Sequence, residues 1–479
     1  MGKGNSKFMT TFLKNSREVK AENPGVNPRT SNEVRPRTGN QTLVKELNKS
    51  IILNLVWRHA PISRAAIAKM SGLNRATVSS LVDELIGESY VKEIGTGDSA
   101  VGRKPIMLQF NPEAGVILGV DLGVNYILIL LTDLTANILV RKRLVIDPGS
   151  GEKRILGKMM DAMAEVLAQS PPTPKGLLGI GVGVPGLVEM EHGVLAFAPN
   201  LRWKNVPLRE ILQGRFGVPV YVDNEANVGA LGEKWFGAGQ GVRDMVYLSV
   251  GVGLGAGIVI NGELYRGATG YAGELGHFTI MPDGPQCGCG NRGCWETLAS
   301  EGATLKRAIK AVKEAVERGE DTVLRDIVLR GMAQEDAGEI ARGESGETLC
   351  EGLEEVGHAG SEEKAEEGAR LSIELLVEAC EQGDRVAQDV LRETGRYLGI
   401  GMAGVINAYN PEVVIIGNTI GRCGNWVLEE ASKEVEARGL SQLIRGVKVV
   451  PAALGPDACA MGGVSLVLSD FLSLPRIAF

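Results

Sequence analysis

The fold of this chain is decided by the stretch DMVYLSVGVGLGAGIVINGELY, which runs from Asp244 to Tyr265. Apolar and β-branched residues flank the glycines on both sides, which predicts a strand, a glycine-rich turn and a second strand. Two other stretches have the same composition, GVILGVDLGVNYILILLTDL around Asp121 and LLGIGVGVPGLVEM beyond it. Helical stretches alternate with these strands, so the sequence predicts an α/β body.

Upstream of this body, apolar residues recur at helical spacing from Thr42, and Pro61 ends that first helix. Ser63 is a suitable N-cap for a second helix, Arg64–Met70. A glycine-containing turn then precedes a third helix over residues 74–88. Two helices joined by such a turn predict a helix-turn-helix.

Two strands follow the third helix, Tyr90–Ile94 and Pro105–Phe110, and the Gly-rich loop between them ends in Arg103 and Lys104. This pattern predicts a β-hairpin wing with cations near its tip. Residues 1–110 carry 17 Lys and Arg against 9 Asp and Glu, whereas the rest of the chain carries 34 against 49. A basic head on an acidic body indicates a polyanionic partner for the head. A solvated basic tail and a three-helix protein-interaction module are the alternatives.

The exposed start of the third helix carries small polar and basic side chains. Such side chains can reach base edges and phosphates in the major groove. Cations of the wing would add phosphate contacts, which position a protein without reading the sequence. The candidate DNA-binding residues are Arg75, Thr77, Ser79, Ser80, Arg103 and Lys104.

Three of the seven cysteines lie within the eight residues CGCGNRGC, and one of only four histidines precedes them. One imidazole and three thiolates suit tetrahedral zinc. Disulfides are disfavoured because three is an odd number and the chain looks cytosolic. Four protein ligands leave no open position on the metal, so we predict a structural zinc. Its ligands are His277, Cys287, Cys289 and Cys294.

The chain has 479 residues and a net charge of −7, and no apolar run approaches the roughly 18 residues that a membrane-spanning helix needs. The first twenty residues are too polar for a signal peptide, so a cytoplasmic protein without a membrane partner is expected. We predict a flexible basic arm over residues 1–41, a winged helix-turn-helix over 42–112 and an α/β body over 113–479. Residues from about 314 to 374 are rich in Glu and Gly, which predicts an acidic insertion.

The run from Leu248 to His277, followed by CGCGNRGCWETLAS, resembles the ROK family (repressors, open reading frames, kinases). With its winged head, the chain is similar to the sugar-responsive repressors of that family, nearest to the xylose-repressor branch. The resemblance extends from about Thr42 to the C-terminus and leaves out the acidic insertion. It implies an actin/hexokinase-like body of two lobes, with a sugar cleft between them.

The resemblance also implies which side chains bind the sugar. Carboxylates and amides form hydrogen bonds with vicinal hydroxyls, and a site built this way rejects analogues that lack a hydroxyl. A shared histidine would use one ring nitrogen for zinc and the other for the sugar. The implied sugar-binding residues are Asn200, Asn224, Glu225, Glu274, His277 and Glu296.

Three positions depart from the pattern of the family's kinases. Glu225 stands where the kinases have an aspartate base, and Asn125 stands where their phosphate loop has a hydroxyl residue. Asn418 follows Gly417 where a second glycine is expected. General-base chemistry is sensitive to such displacements, so we expect a receptor and no kinase activity.

The sequence therefore predicts a repressor whose affinity for operator DNA falls when a monosaccharide, xylose or a related sugar, closes the cleft. A homodimer or a higher homo-oligomer is expected, because paired heads match a palindromic operator. One alternative is an ATP-dependent sugar kinase that carries a DNA-binding head. Another is a repressor that is controlled by a protein partner.

Overall fold

The computed structural model describes residues 41–97, 104–329 and 371–473. The predicted basic arm, the wing tip with Arg103 and most of the predicted acidic insertion lie outside the described residues. Within those three ranges, no helix combines the length and the apolar character needed to cross a membrane.

The N-terminal head contains three helices and a small sheet. Ser63 Oγ accepts the N–H of Ala66, and Asn74 Oδ1 accepts the N–H of Thr77, so both helices of the helix-turn-helix begin at polar caps. The predicted wing strands are present, and a two-residue strand too short to show a sequence pattern pairs with the second of them. The elements are α1 (Gln41–His59), β1 (Ile62–Ser63), α2 (Arg64–Ser71), α3 (Arg75–Gly87), β2 (Val91–Thr96) and β3 (Ile106–Phe110).

The first lobe is built on a five-stranded sheet of order β11-β7-β4-β5-β6. The predicted hairpin around Asp121 is formed by β4 (Val116–Leu122) and β5 (Tyr126–Thr132). Every residue of β4 is buried, which explains why its sequence is apolar apart from Asp121. The remaining elements are β6 (Ile138–Val145), α4 (Glu152–Ala168), β7 (Leu177–Val184), β8 (Leu187–Glu189), β9 (Val194–Ala198), β10 (Trp203–Val206), α5 (Leu208–Phe216) and β11 (Val220–Asn224).

The second lobe is built on a five-stranded sheet of order β14-β13-β12-β15-β16. The opening stretch of the sequence supplies β12 and β13, the two predicted strands, and these pair antiparallel. Its strands are β12 (Met245–Val250), β13 (Leu254–Ile260), β14 (Glu263–Leu264), β15 (Val413–Gly417) and β16 (Lys448–Pro451). The α-helices that follow β11 in the described residues are α6 (Glu225–Phe236), α7 (Glu296–Ala299), α8 (Glu301–Glu317), α9 (Ile373–Glu381), α10 (Arg385–Tyr409), α11 (Asn418–Gly421), α12 (Asn425–Arg438), α13 (Ser441–Ile444) and α14 (Ala458–Leu472).

The edges of the predicted acidic insertion belong to the core of the second lobe. Leu324, Val328 and Ile373 are buried there together with residues of α8 and α10. Both ends of the predicted 314–374 insertion therefore contribute to the core, because apolar residues at helical spacing continue within the acidic composition there.

The head and the first lobe share one hydrophobic core. Val56 and Leu85 of the head cluster with Leu130 of the first lobe and with Val464 and Leu468 of α14. The sequence predicts a boundary after residue 112, but side-chain packing continues across it. The head is consequently attached to the body by buried surface as well as by the chain.

Candidate functional site

Four side chains with metal-binding atoms converge in the loop that leads to α7. The ligand atoms of His277, Cys287, Cys289 and Cys294 all lie within 4.8 Å of one another. Cys287 Sγ is 3.7 Å from His277 Nδ1, and Cys289 Sγ is 3.7 Å from Cys294 Sγ. The structure thus brings together the predicted metal ligands, and this donor set suits a tetrahedral metal ion.

Backbone contacts fold the loop that carries these ligands. An isolated β-bridge pairs Thr279 with Cys294. Gly293 has φ +62° and lies so close to the carbonyl of Met281 that a Cβ would collide with it. The glycine therefore permits the tight turn that presents the neighbouring thiol.

The thiols of the cluster differ in acidity. Burial raises the pKa of Cys294 to about 12, and burial also raises the pKa of Cys287. A hydrogen bond from the backbone of Asn291 lowers the pKa of the exposed Cys289 thiol. Because a metal binds thiolates and displaces their protons, metal affinity at this cluster will fall as the pH is lowered.

Two carboxylates flank the cluster. Glu296, at the start of α7, accepts the N–H of Leu254 at 3.0 Å, and its other oxygen lies 3.9 Å from Cys287 Sγ. Glu274 Oε2 lies 3.8 Å from His277 Nε2. The two ring nitrogens of His277 therefore face different groups, Nδ1 the thiol of Cys287 and Nε2 the carboxylate of Glu274.

Asn224 joins the end of β11 to the start of α6. Its Oδ1 accepts the N–H groups of Ala226 and Asn227, and its Nδ2 donates to Gly186 O at 2.9 Å. An amide oxygen has two lone pairs and an amide nitrogen has two protons. Most of the hydrogen-bonding capacity of the Asn224 side chain is therefore used to cap α6 and to hold Gly186. One N–H of its amide remains for a ligand.

Glu225, the first residue of α6, faces carboxylates from both lobes. Burial, followed by the charges of Asp121, Glu274 and Glu296, raises its pKa to about 8. Burial also raises the pKa of Glu274. At neutral pH the Glu225 carboxyl is therefore mostly protonated, so it can donate as well as accept a hydrogen bond.

Asp121 is covered by an aromatic side chain. The hydroxyl of Tyr126 donates to Asp121 Oδ2 at 2.7 Å, and the ring of Tyr126 lies against Gly123. The Arg143 guanidinium stacks on that ring, 4.7 Å from its centroid. Burial raises the pKa of Asp121 to about 6. The Tyr126 side chain therefore covers both the Asp121 carboxyl and the glycine of the first hairpin loop.

A second glycine-rich turn is filled in the same way. Asn418 has φ +62°, a conformation that favours glycine, and its Nδ2 donates to Ser249 Oγ at 3.3 Å. Its side-chain amide lies against Gly251, where a Cβ would be 2.7 Å from Nδ2. The asparagine side chain therefore occupies the space beside the turn between β12 and β13.

Asn200 lies at the edge of this group of residues. It is exposed, in the turn after β9. Ala198, two residues before Asn200, packs against Gly186, and the carbonyl of Gly186 accepts a hydrogen bond from Asn224. The described hydrogen bonds do not join Asn200 to the other five predicted sugar-binding side chains.

An ion pair that the sequence did not reveal joins the two lobes beside the site. Arg266 Nη2, just after β14, lies 2.7 Å from Asp223 Oδ2 at the end of β11. Asp223 is buried, and its Oδ1 accepts the N–H of Asn224. Only the charge signs could have suggested this pair, because no fixed spacing relates two residues so far apart in the chain.

Five of the six predicted DNA-binding side chains lie within the described residues of the head. Arg75 and Ser80 are exposed on α3, while Thr77 and Ser79 are partly buried. Lys104 is exposed at the start of the returning wing strand, and Arg103 lies outside the described residues. The arrangement leaves the N-terminal half of α3 free to contact a partner.

Arg64, which the sequence did not single out, ties the head together. Its guanidinium donates to Asp83 Oδ1 at 2.7 Å and to Glu93 Oε1 at 2.9 Å. One side chain of α2 thereby links α3 to the wing and fixes the orientation of the helix-turn-helix.

Comparison with known proteins relates most of the chain to one family. The ROK family model matches residues 117–470. A protein named putative xylose repressor, from Caldicellulosiruptor sp. strain Rt8B.4, is 41% identical over 436 residues, which are 91% of this chain and 99% of that protein.

Two solved structures are similar over most of their length. A ROK family transcriptional regulator, a homologue of the Escherichia coli MLC protein, has a TM-score of 0.69 and 29% identity over 90% of this chain and 98% of its own. A ROK family glucokinase from Streptomyces griseus, in complex with glucose and AMPPNP, has a TM-score of 0.58 and 30% identity over 74% of this chain and 99% of its own. The first similarity includes the head, and the second is limited to about the length of the body.

Proposed function

Because the chain belongs to the ROK family, we propose that it is a transcriptional repressor that releases operator DNA when a monosaccharide binds between its lobes. The observation that carries this proposal is the convergence of carboxyls from both lobes. Glu225 begins α6 after the last strand of the first lobe, and it lies near enough to Glu274 and Glu296 of the second lobe for their charges to raise its pKa. A ligand with hydroxyls on both sides would join the lobes and favour a closed cleft.

The proposed sugar contacts are of three kinds. The protonated Glu225 carboxyl and the free N–H of Asn224 supply donors. The carboxylates of Glu274 and Glu296 supply acceptors, and His277 Nε2 lies next to Glu274. Hydroxyls both donate and accept, so a mixed set of this kind recognises them well. Asn200 is proposed as a contact at the rim of the cleft, since it lies nearest to solvent.

Zinc is the metal proposed for the cluster of His277 and the three cysteines. Its thiolate and imidazole preference fits the donors, and four protein ligands leave no open position for chemistry. The ion would hold the loop between Thr279 and Cys294 and fix the ring of His277 against Glu274. Its proposed role is therefore structural support of the sugar site.

The head is proposed to bind DNA with α3 in the major groove. Arg75, Thr77, Ser79 and Ser80 would supply donors and acceptors from the first turns of the helix, and Arg103 with Lys104 would contact phosphates from the wing. A homodimer, which matches two half-sites, and a cytoplasmic location belong to the same proposal.

We propose that phosphoryl transfer to the sugar is not the activity of this chain. Asp121 already accepts from Tyr126, and Arg143 stacks outside that ring. The Asn418 side chain fills the space next to Gly251. Both features occupy the glycine-rich turns in which a nucleotide's phosphates would have to lie. Glu225 at the base position and Asn125 in the first loop point in the same direction.

Xylose is the proposed effector, and this choice is supported by the name of the relative that is 41% identical. Thermal-shift screening of pentoses and hexoses against the full chain tests it, with the melting temperature as the readout. Operator release is then measured with each sugar that stabilises the protein. If no sugar raises the melting temperature or releases DNA, the proposal is wrong. A coupled assay that detects ADP formation from ATP and the binding sugar would identify the kinase alternative.

A further inference from the structure

Two helices cross between the lobes, and each packs tightly against one of the sheets. In α14, Gly463 lies so close to Gly181 of the first-lobe sheet that a Cβ on Gly181 would collide with its backbone. In α6, the carbonyl of Ala226 lies equally close to Gly257 of β13 in the second-lobe sheet. Each helix is therefore held most closely by a different lobe.

The two helices meet along their length. A Cβ on Gly232 of α6 would collide with the carbonyl of Ala458 in α14. The end of α6 is also tied to the second lobe, because the buried carboxylate of Glu233 accepts the N–H groups of Ala453 and Leu454, which follow β16. A change in the angle between the lobes must therefore change how α6 lies against α14.

The head rests on both helices at once. Trp57 of α1 packs against Trp235 of α6, with ring centroids 5.6 Å apart and planes inclined by 51°. On the other side, Ser50 Oγ of α1 donates to Ser473 O at 2.8 Å, directly after α14. The first helix of the head thus spans the junction whose geometry depends on the lobes.

The same α6 begins in the cleft. Its first residue is Glu225 and its N-cap is Asn224, whereas Trp235 lies in its last turn. A helix of 12 residues is about 18 Å long. A ligand at one end and the head at the other therefore contact the same rigid element.

We propose that Trp57 and Trp235 are positioning residues of the sugar response: through their contact, the movement of α6 that follows sugar binding displaces the head. The inference rests on the proposed repressor function and adds the route by which the cleft controls the DNA-binding surface. Trp235 lies at the opposite end of α6 from Glu225, so loss of the Trp pair should separate sugar binding from DNA release. A purely structural contact would lower stability without changing the response.

The test uses the full chain, D-xylose, and a DNA duplex selected by the wild-type protein from a random pool. Operator dissociation constants are measured with and without saturating xylose, and xylose affinity is measured by calorimetry. For the wild type we expect xylose to weaken DNA binding by about tenfold or more. For Trp57→Ala we expect this factor to fall below about threefold, with xylose affinity unchanged. Trp57→Phe, which keeps an aromatic ring, should retain most of the response.

Phe471→Leu is the matched control, because Phe471 packs against Tyr90 in a second aromatic contact between head and body, with centroids 5.0 Å apart. It should keep the wild-type response. Trp235→Leu removes the same contact from the side of α6 and should reduce the response in the same way. It serves as the test if Trp57→Ala folds poorly. An undiminished response in the folded Trp variants, or an equal loss in Phe471→Leu, overturns the inference. A wild type whose DNA binding no sugar changes contradicts the proposed function itself.

Discussion

Arg266 of the second lobe and Asp223 of the first lobe form an ion pair beside the proposed sugar site, with Nη2 2.7 Å from Oδ2. Asp223 is buried, and its other oxygen accepts the N–H of Asn224. The pair therefore fixes the residue that caps α6, and it does so from across the cleft. It also balances one charge in a cleft that is otherwise rich in carboxyls.

Removing the cation of this pair should destabilise the protein. Arg266→Met leaves the Asp223 carboxylate buried without its partner, and we expect the free energy of unfolding to fall by about 2 kcal/mol, since the arginine is partly solvated. Urea denaturation monitored by tryptophan fluorescence measures it. The double variant Arg266→Met with Asp223→Asn should recover part of the loss. A double variant less stable than the single one would contradict this account.

The stability of the ligand-free protein should depend on the protonation of Glu225. Its pKa rises on folding from 4.5 to about 8, so the folded state holds a proton that the unfolded state loses. The stabilising contribution is complete below about pH 4.5 and is lost as the pH rises towards 8. Glu225→Gln should therefore flatten the pH profile of the melting temperature between these values. An unchanged profile would exclude a raised pKa at this position.

Much of this architecture could be predicted because local patterns determine it. The cap at Ser63 and the largely apolar composition of β4 are local signals, and the structure confirms the elements that they predict. The clustering of His277 with the cysteines also follows from a short spacing that a turn can close.

Contacts between distant segments could not be predicted in this way. The contact of Trp57 with Trp235 and the ion pair of Arg266 with Asp223 depend on how the lobes and the head pack. The periodicity of the sequence does not predict that packing. The sequence also leaves open that Tyr126 covers Asp121, because aromatic residues in a strand are usually core residues. The structure adds these relationships, and the proposed coupling of the cleft to the head is built on them.

Zinc removal should affect both stability and sugar binding. Elemental analysis should find about one zinc per chain, as expected for a four-ligand site. Cys289→Ser should lower the zinc content, the melting temperature and the sugar affinity, because the loop that holds the metal carries His277. Cys423→Ala, a buried cysteine outside the cluster, should keep the zinc. Metal-free wild type with unchanged sugar affinity would show that the metal does not support the site.

Substitutions in the head should separate sequence reading from phosphate contact. Arg75→Ala and Thr77→Ala should weaken binding to the selected duplex, by roughly 1–3 kcal/mol where a base contact is lost. Arg103→Ala and Lys104→Ala should weaken binding to all duplexes alike and reduce the salt dependence. Gel-shift titrations at two salt concentrations distinguish these effects. Equal losses on specific and random DNA for Arg75→Ala would remove it from base recognition.

The sugar site itself is tested by substitutions that leave the head intact. Glu274 is partly exposed and its nearest basic group is His277, so Glu274→Ala should cost little stability. Glu296 also accepts the N–H of Leu254, so Glu296→Gln, which keeps an acceptor there, is a gentler change than Glu296→Ala. Each loss of a hydrogen bond to a charged group is worth roughly 1.5–3 kcal/mol, or about tenfold or more in sugar affinity. Glu191→Ala, exposed in the first lobe, is the control.

The expected phenotype of the Glu274 and Glu296 variants is permanent repression: normal operator binding that added sugar no longer relieves. Glu225→Asp is the informative companion, because it restores the residue that the family's kinases have. It should remain inactive towards ATP, since Tyr126 still covers Asp121 and Asn418 still fills the second turn. The deciding measurement is operator release against sugar concentration for the wild type and each variant. Coinciding curves would show that these carboxylates do not read the signal, and ADP formation by Glu225→Asp would show that a single methylene had separated the receptor from an enzyme.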